Sequence, residues 1–341
     1  MKILVKSIIV VCIAALYSCN SGDEDVSMPK ELQEVVIGYS LYDDGREDRE
    51  VATIWRNGEP SRLVKQGENF FPTGAIAYGN DLYVIGARNQ GEKRQAVMLK
   101  NDELIVLWEG SRNAAPKGIY VDDNDVHVVG IQMEEGGNQR AVYWKNGEKE
   151  DLAKEGNSNA EGVYVYNDKV YVVGGQNDNK GSWDPILWTN GVSSSLEKNK
   201  PTSLGSRIAY DVYVDANNIY IIGEDLRDAV MWHNGDRTLL AEDSQSFSIA
   251  YDGTTFNAVG YEDLFNRKAV VWSASGTVSL DEGSTANDIK FFKENRYVSG
   301  VLGSGPDRKA AYWKNDELIT LKKLAEDVSS YYAIAISVYE R

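Results

Sequence analysis

One phrase recurs along the chain at nearly constant spacing, and it limits the fold more than any other feature. An apolar pair followed by Trp-x-Asn-Gly appears as Ala52-Thr53-Ile54-Trp55-Arg56-Asn57-Gly58 and as Ala141-Val142-Tyr143-Trp144-Lys145-Asn146-Gly147. Further copies centre on Trp188, Trp232, Trp272 and Trp313, and Leu99 holds the tryptophan slot in a degenerate copy. The seven slots are separated by 44, 45, 44, 44, 40 and 41 residues. A second phrase, built on apolar-Tyr-apolar-apolar-Gly, ends at Gly86, Gly130, Gly174, Gly223, Gly260 and Gly300, with His127 and Asn257 in the tyrosine slot of two copies and a seventh version, Val35-Val36-Ile37-Gly38, at the front. Residues 34 to 341 number 308, or seven units of 44. A period of this length marks a supersecondary unit that buries its apolar surface only against its neighbours.

Each unit reads as four short strands. In the third, Gly162-Val163-Tyr164-Val165-Tyr166 is followed by Lys169-Val170-Tyr171-Val172-Val173-Gly174, then Pro185-Ile186-Leu187-Trp188, then a short strand near Ser194-Ser195-Leu196. β-Branched and aromatic residues dominate, and Gly, Asn and Asp bound the runs. Asn-Gly between two strands is a type I′ hairpin signal, because both turn positions need positive φ. Asn80-Asp81, Asn124-Asp125, Asn167-Asp168 and Asp252-Gly253 supply similar chemistry to the first hairpin. No helix-length amphipathic segment interrupts the series. The fold expected is all-β, a seven-bladed β-propeller of four-stranded blades. The last unit lacks outer strands, and the spare Val35–Gly38 phrase lies at the front. The seventh blade is therefore expected to take its inner strand from residues 331–338 and its outer three from 34–65, which leaves no large open edge.

Composition narrows the partners. The chain carries 36 basic and 52 acidic residues, a net charge of −16, and is 42% hydrophobic. A core is affordable, whereas nucleic acid and an anionic membrane surface are poor partners. Two histidines and two cysteines leave no material for His-rich metal sites or zinc ribbons.

The front of the chain reads as an address. Lys2 and Lys6 precede the apolar run Ile8–Leu16, which is too short to span a bilayer, and Leu16-Tyr17-Ser18-Cys19 follows. Residues 1–18 read as a signal peptide. The Leu-x-Ser-Cys ending resembles the lipobox of bacterial lipoproteins, in which Cys19 is acylated and becomes the first mature residue; ordinary secretion with a chance thiol is the alternative. Residues 19–33 then form a lipidated cysteine and an acidic tether. Asn20-Ser21-Gly22-Asp23-Glu24-Asp25 resembles the export signal of surface-exposed Bacteroidota lipoproteins and reads equally as a plain solvated leash. The membrane is expected to be met through the lipid alone, two or more acyl chains being needed for stable anchoring.

The repeats themselves, as at Tyr143–Gly147 and Tyr312–Asn315, resemble those of uncharacterised Bacteroidota lipoproteins. The resemblance covers nearly all of the mature chain and implies fold and an outer-membrane location. It implies no catalytic residue and no cofactor.

Strand alternation sorts the connections into two faces. First-to-second and third-to-fourth turns are tight and uniform. Second-to-third loops and blade-to-blade links lie on the opposite rim and vary: from the repeat glycine to the third strand the numbering advances 14 residues at Gly38, 11 at Gly130 and 6 at Gly223. Variation on one rim of a rigid scaffold is where function is expected. Trp183 and Asp184 stand outside the tryptophan register and read as a sugar-stacking or partner-anchoring pair, or as a cap over their blade. Phe70 and Phe71, Arg112, and Phe265 fall in other rim segments, where contact competes with packing. An arginine recurs before the third strand, at Arg49, Arg94, Arg140, Arg227, Arg267 and Arg308, and structural ion pairs explain it better than an anion-binding ring. Asp122-Asp123-Asn124-Asp125 and Asp43-Asp44-Gly45 offer oxygen ligands for calcium, but the first is ordinary turn chemistry and neither has EF-hand spacing. His127 and His233 occupy scaffold positions, so no metal site is assigned. The expected function is binding or scaffolding of a protein or glycan through the variable rim. The alternative is a glycan hydrolase or lyase with paired carboxylates at the channel mouth.

Overall fold

The computed structural model describes residues 30–42, 50–123, 125–177, 181–197 and 205–341. Seven four-stranded antiparallel sheets account for nearly all of them. Inner strands Phe71–Tyr78, Ala114–Asp122, Ser158–Tyr166, Arg207–Val214, Gln245–Tyr251 and Ser284–Phe292 open blades 1 to 6, and each is followed by three strands stepping outward. Blade 7 joins the two ends of the propeller: Val328–Glu340 is the inner strand, then come Leu32–Tyr42, Glu50–Arg56 and Glu59–Arg62. Val36 lies opposite Ile336 in that shared sheet. The expected seven-bladed propeller and its mixed closing blade are therefore present. The closing strand is longer than 331–338, and the first strand starts at Leu32, inside the segment expected to be tether. Among the described residues the only helical element is a 3-10 turn, Gly305–Asp307.

Seven apolar clusters hold the ring, each lying between adjacent blades. The repeat tryptophans are the large members: Trp55, Trp144, Trp188, Trp232, Trp272 and Trp313 are at most 2% exposed, and Leu99 fills the same slot in blade 1. Two of the indoles also tie one blade to the next. Trp55 Nε1 donates to the Lys322 carbonyl at 2.7 Å, and Trp313 Nε1 to Asp281 Oδ2 at 2.8 Å. Blades 6 and 7 are joined again at Glu34, whose carboxylate accepts from Tyr312 Oη at 2.6 Å and Lys314 Nζ at 2.8 Å.

The asparagine of the repeat does two jobs. Asn57, Asn146, Asn190, Asn234 and Asn315 have φ between 47° and 51°, as a I′ turn requires. Their side-chain oxygens also accept the backbone N–H that opens the second strand, as in Val126 N to Asn146 Oδ1 at 2.8 Å. The first hairpins depart in places from expectation. In blade 1 the turn is Gly79-Asn80, since Asp81 already pairs with Tyr78. In blade 5 Asp252 heads a wider loop, its Oδ1 accepting from the N–H groups of Thr254 and Thr255 at 2.8 Å each.

Every inner strand carries a one-residue irregularity at the same place. In blade 3, Ala160 pairs with Gly174 and Gly162 with Val173, so Glu161 is left unpaired as a β-bulge. The bulge explains the repeat glycine, which needs no positive φ. A Cβ on Gly174 would stand 2.1 Å from the Asn159 carbonyl oxygen, so only glycine lets the bulged strand approach.

Candidate functional site: the channel mouth and the variable rim

The seven bulged residues are Thr73, Lys117, Glu161, Tyr210, Phe247, Asn287 and Ile334. All line the central channel, a cavity of about 150 Å³. Six of them stand near the start of their inner strands, just after a blade-to-blade link, and Ile334 lies at the matching bulge of the longer closing strand, so together they form the channel mouth on the variable rim. Two of them brace the ring: Thr73 Oγ1 donates to the Pro116 carbonyl at 2.9 Å, and Asn287 Nδ2 to the Ala333 carbonyl at 2.7 Å. Lys117 and Glu161 form an ion pair at 3.7 Å. Burial pushes the Glu161 carboxyl up, and Lys117 only partly offsets it. Tyr210 and Phe247 continue the mouth with ring centroids 6.5 Å apart, and Phe247 meets Tyr261 at 5.8 Å.

Deeper in the channel the carboxylates are engaged in holding blades together. Asp211 Oδ2 accepts the Ile249 N–H of the next blade at 2.9 Å, and Asp288 Oδ2 accepts the Ile336 N–H of the closing blade at 3.0 Å. Ser248 Oγ lies 3.0 Å from both acids, and its single proton serves one at a time. Lys290 Nζ is 2.7 Å from Asp288. One ammonium faces two carboxylates here, Asp288 buried and Asp211 partly so, and desolvation raises the Asp211 carboxyl. Beside this cluster Tyr120, Tyr164, Tyr213 and Tyr251 form a ladder across four blades, with centroids 4.6, 5.2 and 5.0 Å apart.

The rim residues expected from sequence do not converge on one site. Phe70 is 4% exposed and packs between blades 7 and 1. Phe71 opens the inner strand of blade 1 beneath the Arg94 guanidinium, 4.9 Å from the ring centroid. Arg112 is clamped by Glu134 at 2.7 Å and Glu135 at 2.9 Å. Trp183 is half-buried at the start of a third strand; its backbone N–H donates to the Gly205 carbonyl at 3.1 Å and its ring lies over Gly175, while Asp184 is buried beside it. This is the arrangement of a cap over blade 3. Cys19, Arg49 and Asp43-Asp44-Gly45 lie outside the described residues. The arginine slot is occupied by local partners: Arg140 by Asp151 at 3.1 Å, Arg227 by Asp243 at 2.7 Å, and Arg267 by the face of Tyr261 at 4.6 Å.

Phe265 differs from the rest. It is 85% exposed, the most exposed large hydrophobic residue among those described. Its loop is nevertheless built: Asp263 Oδ1 accepts the N–H groups of Phe265 at 2.9 Å and Asn266 at 3.2 Å, and Leu264 N–H reaches the Asp243 carbonyl at 3.0 Å. Those backbone donors hold the Asp263 carboxyl below its ordinary range. The loop borders a groove of about 950 Å³ lined further by Arg267, Arg308, Glu282 and Tyr332. An apolar ring held over a groove with both charge signs is suited to a partner surface. On the opposite, tight-turn face, Asp122, Asp125 and His127 are the one group of three potential metal ligands found among the described residues.

No family model matches the chain, and no curated protein matches it. In fold the chain is similar to solved structures. TolB from Acinetobacter baumannii aligns over 89% of this chain and 67% of its own, with TM-score 0.50 and 11% identity. A Mycobacterium tuberculosis puromycin-hydrolyzing peptidase aligns over 85% of this chain with TM-score 0.53 and 10% identity. The Pyrococcus horikoshii acylaminoacyl peptidase aligns over 85% with TM-score 0.50 and 12% identity. The chain spans 54% and 50% of the two peptidases. At such identity the likeness concerns the propeller alone.

Proposed function

We propose that this propeller is a lipid-anchored binding or scaffold protein of the outer membrane that recognises a partner protein or a glycan through its variable rim. Anchoring is through acylated Cys19, and no cofactor or nucleic acid takes part. The observation that carries the reading is Phe265, an exposed ring on a hydrogen-bonded loop beside a groove on the variable face. Pre-ordering of that loop reduces the entropy lost on binding. The channel acids Asp211 and Asp288 support it too, because their oxygens already accept backbone N–H groups.

The test is affinity capture of the native lipoprotein with two variants. Phe265→Ala is expected to weaken recovery of a specific partner or glycan at least tenfold. Val192→Ala, 73% exposed on the tight-turn face, is expected to leave recovery unchanged. Equal recovery with both variants would overturn the rim assignment. For the anchor, Cys19→Ala should release soluble protein, and continued membrane retention would count against acylation.

Glu161 supports a second reading, a carboxylate-using glycan hydrolase or lyase at the channel mouth. A raised carboxyl there suits a general acid. Glu224, held by Ser206 at 3.0 Å and Gln245 at 2.9 Å, is the accompanying carboxylate. Turnover of a polysaccharide panel that disappears in Glu161→Gln would favour this reading over the first.

A further inference from the structure

The hairpin that opens blade 2 gathers three side chains of metal-binding type on one face. Asp122 and Asp125 are cross-strand partners at the turn, and His127 lies two residues beyond Asp125 on the same strand. Alternation along a strand puts Asp125 and His127 on one face, and cross-strand pairing adds Asp122. One ligand atom from each lies within 4.8 Å of the other two.

The histidine makes this more than an acidic turn. His127 is 2% exposed, and its Nδ1 lies 2.6 Å from Tyr143 Oη. Its Nε2 is buried and makes no hydrogen bond; Asp122 Oδ1 lies 3.4 Å away without the geometry of one. A buried imidazole nitrogen whose nearest polar neighbour is a carboxylate oxygen at 3.4 Å, outside hydrogen-bond geometry, and which has a second carboxylate within 4.8 Å, is placed to share an ion with both. Tyr143 supplies the outer contact that orients a metal-binding histidine: with the proton on Nδ1 donated to the tyrosine oxygen, Nε2 presents its lone pair.

We propose that Asp122, Asp125 and His127 form a binding site for a first-row divalent transition metal, with zinc the expected ion and water completing the shell. One imidazole nitrogen and two carboxylate oxygens suit zinc better than calcium, which takes oxygen ligands only. Lys145 now plays the cation's part, with Nζ 2.6 Å from Asp125 Oδ2. Its side chain is 49% exposed, so it has solvent to swing into when the ion binds. The site stands on the face opposite the rim and does not depend on the rim reading.

Zinc titration of the full-length chain against a chromophoric chelator tests this. Wild type is expected to bind one equivalent saturably. His127→Tyr is expected to lose at least tenfold in affinity while remaining folded, because Tyr83, Tyr171, Tyr220 and Tyr297 hold the same slot in other blades. Asp125→Asn gives a second route to the same loss, and Lys145→Met should raise affinity severalfold. Cobalt in place of zinc should give visible absorption bands in wild type and not in His127→Tyr. Absence of saturable zinc binding, equal affinity in His127→Tyr, or displacement of zinc by equimolar calcium would each overturn the proposal.

Discussion

Replacing Gly174 by alanine tests the link between the sequence repeat and the channel. The added Cβ would stand 2.1 Å from the Asn159 carbonyl oxygen and 3.0 Å from Ala160 Cα, both backbone atoms. Contacts of this kind under 3.0 Å are essentially never found, so the bulged strand must retreat by about 0.9 Å. It is not free to do so. Asn159 Oδ1 accepts the Gly175 N–H at 2.7 Å, and Ala160 is fully buried between blades. Overpacking in a close-packed interior costs about 1–3 kcal/mol, and a backbone clash belongs at or above the top of that range. We expect Gly174→Ala to lose at least about 3 kcal/mol in urea unfolding. The matched control is Gly74→Ala in blade 1, whose Cβ would meet nothing nearer than the Ile85 side chain at 3.5 Å. That substitution should be neutral or stabilise by about 0.4–1 kcal/mol through the unfolded chain. If Gly174→Ala lies within 1 kcal/mol of wild type, the close approach at the bulge does not exist and the ring of channel residues is misplaced.

Two further predictions concern pH. Folding raises the Glu161 carboxyl, so the folded state holds that proton more tightly and loses stability as pH rises above the ordinary value of 4.5. Glu161→Gln should therefore be about 1 kcal/mol more stable than wild type at pH 8, with the gain fading by pH 4 in thermal melts. A variant less stable than wild type at pH 8 would refute the assignment. Glu34 has the opposite sign: burial alone would raise it, but hydrogen bonds from Lys314 and Tyr312 hold it below 4.5. Its contribution is present above pH 4.5 and is lost as pH falls through the depressed value, so Glu34→Gln should cost about 1–2 kcal/mol at pH 7 and nothing at the acid end. A cost that persists unchanged into acid would show that the loss is one of packing.

The ring was legible in the sequence because its signals repeat. Tryptophan at one slot and Asn-Gly beside it recur, and the spare Val35–Gly38 phrase could pair only with the unpartnered final strand. The channel mouth was not legible, because a bulge breaks the period of two on which facing is read. After the extra residue Glu161, every side chain on that strand changes face relative to a regular count. A clue was nonetheless present: Lys117 and Glu161 are full charges in the interior of their strands, each directly before a glycine. Among rim residues, contact and packing compete at Phe70 in the sequence, and the structure buries it, since a link between blades can dive into the core. Phe265 could be placed on a loop but not judged exposed, because that depends on Asp263 drawing two N–H groups inward. The proposed metal-binding group was legible only in part, as the oxygen donors Asp122 and Asp125 of a turn. His127 looked like a scaffold variant until the turn between Asp122 and Asp125 put all three side chains on one face.

A disulfide trap tests the closed ring most directly. Leu32 and Glu340 are opposite one another in blade 7, and directly paired strand residues lie within disulfide reach. With Cys12 and Cys19 replaced, the Leu32→Cys/Glu340→Cys double variant should oxidise completely as a monomer under mild conditions. The oxidised form should also resist unfolding better than the reduced form, because the bridge ties the two ends of the propeller. Free thiols that persist, or disulfides only between molecules, would mean that the ends do not share a blade.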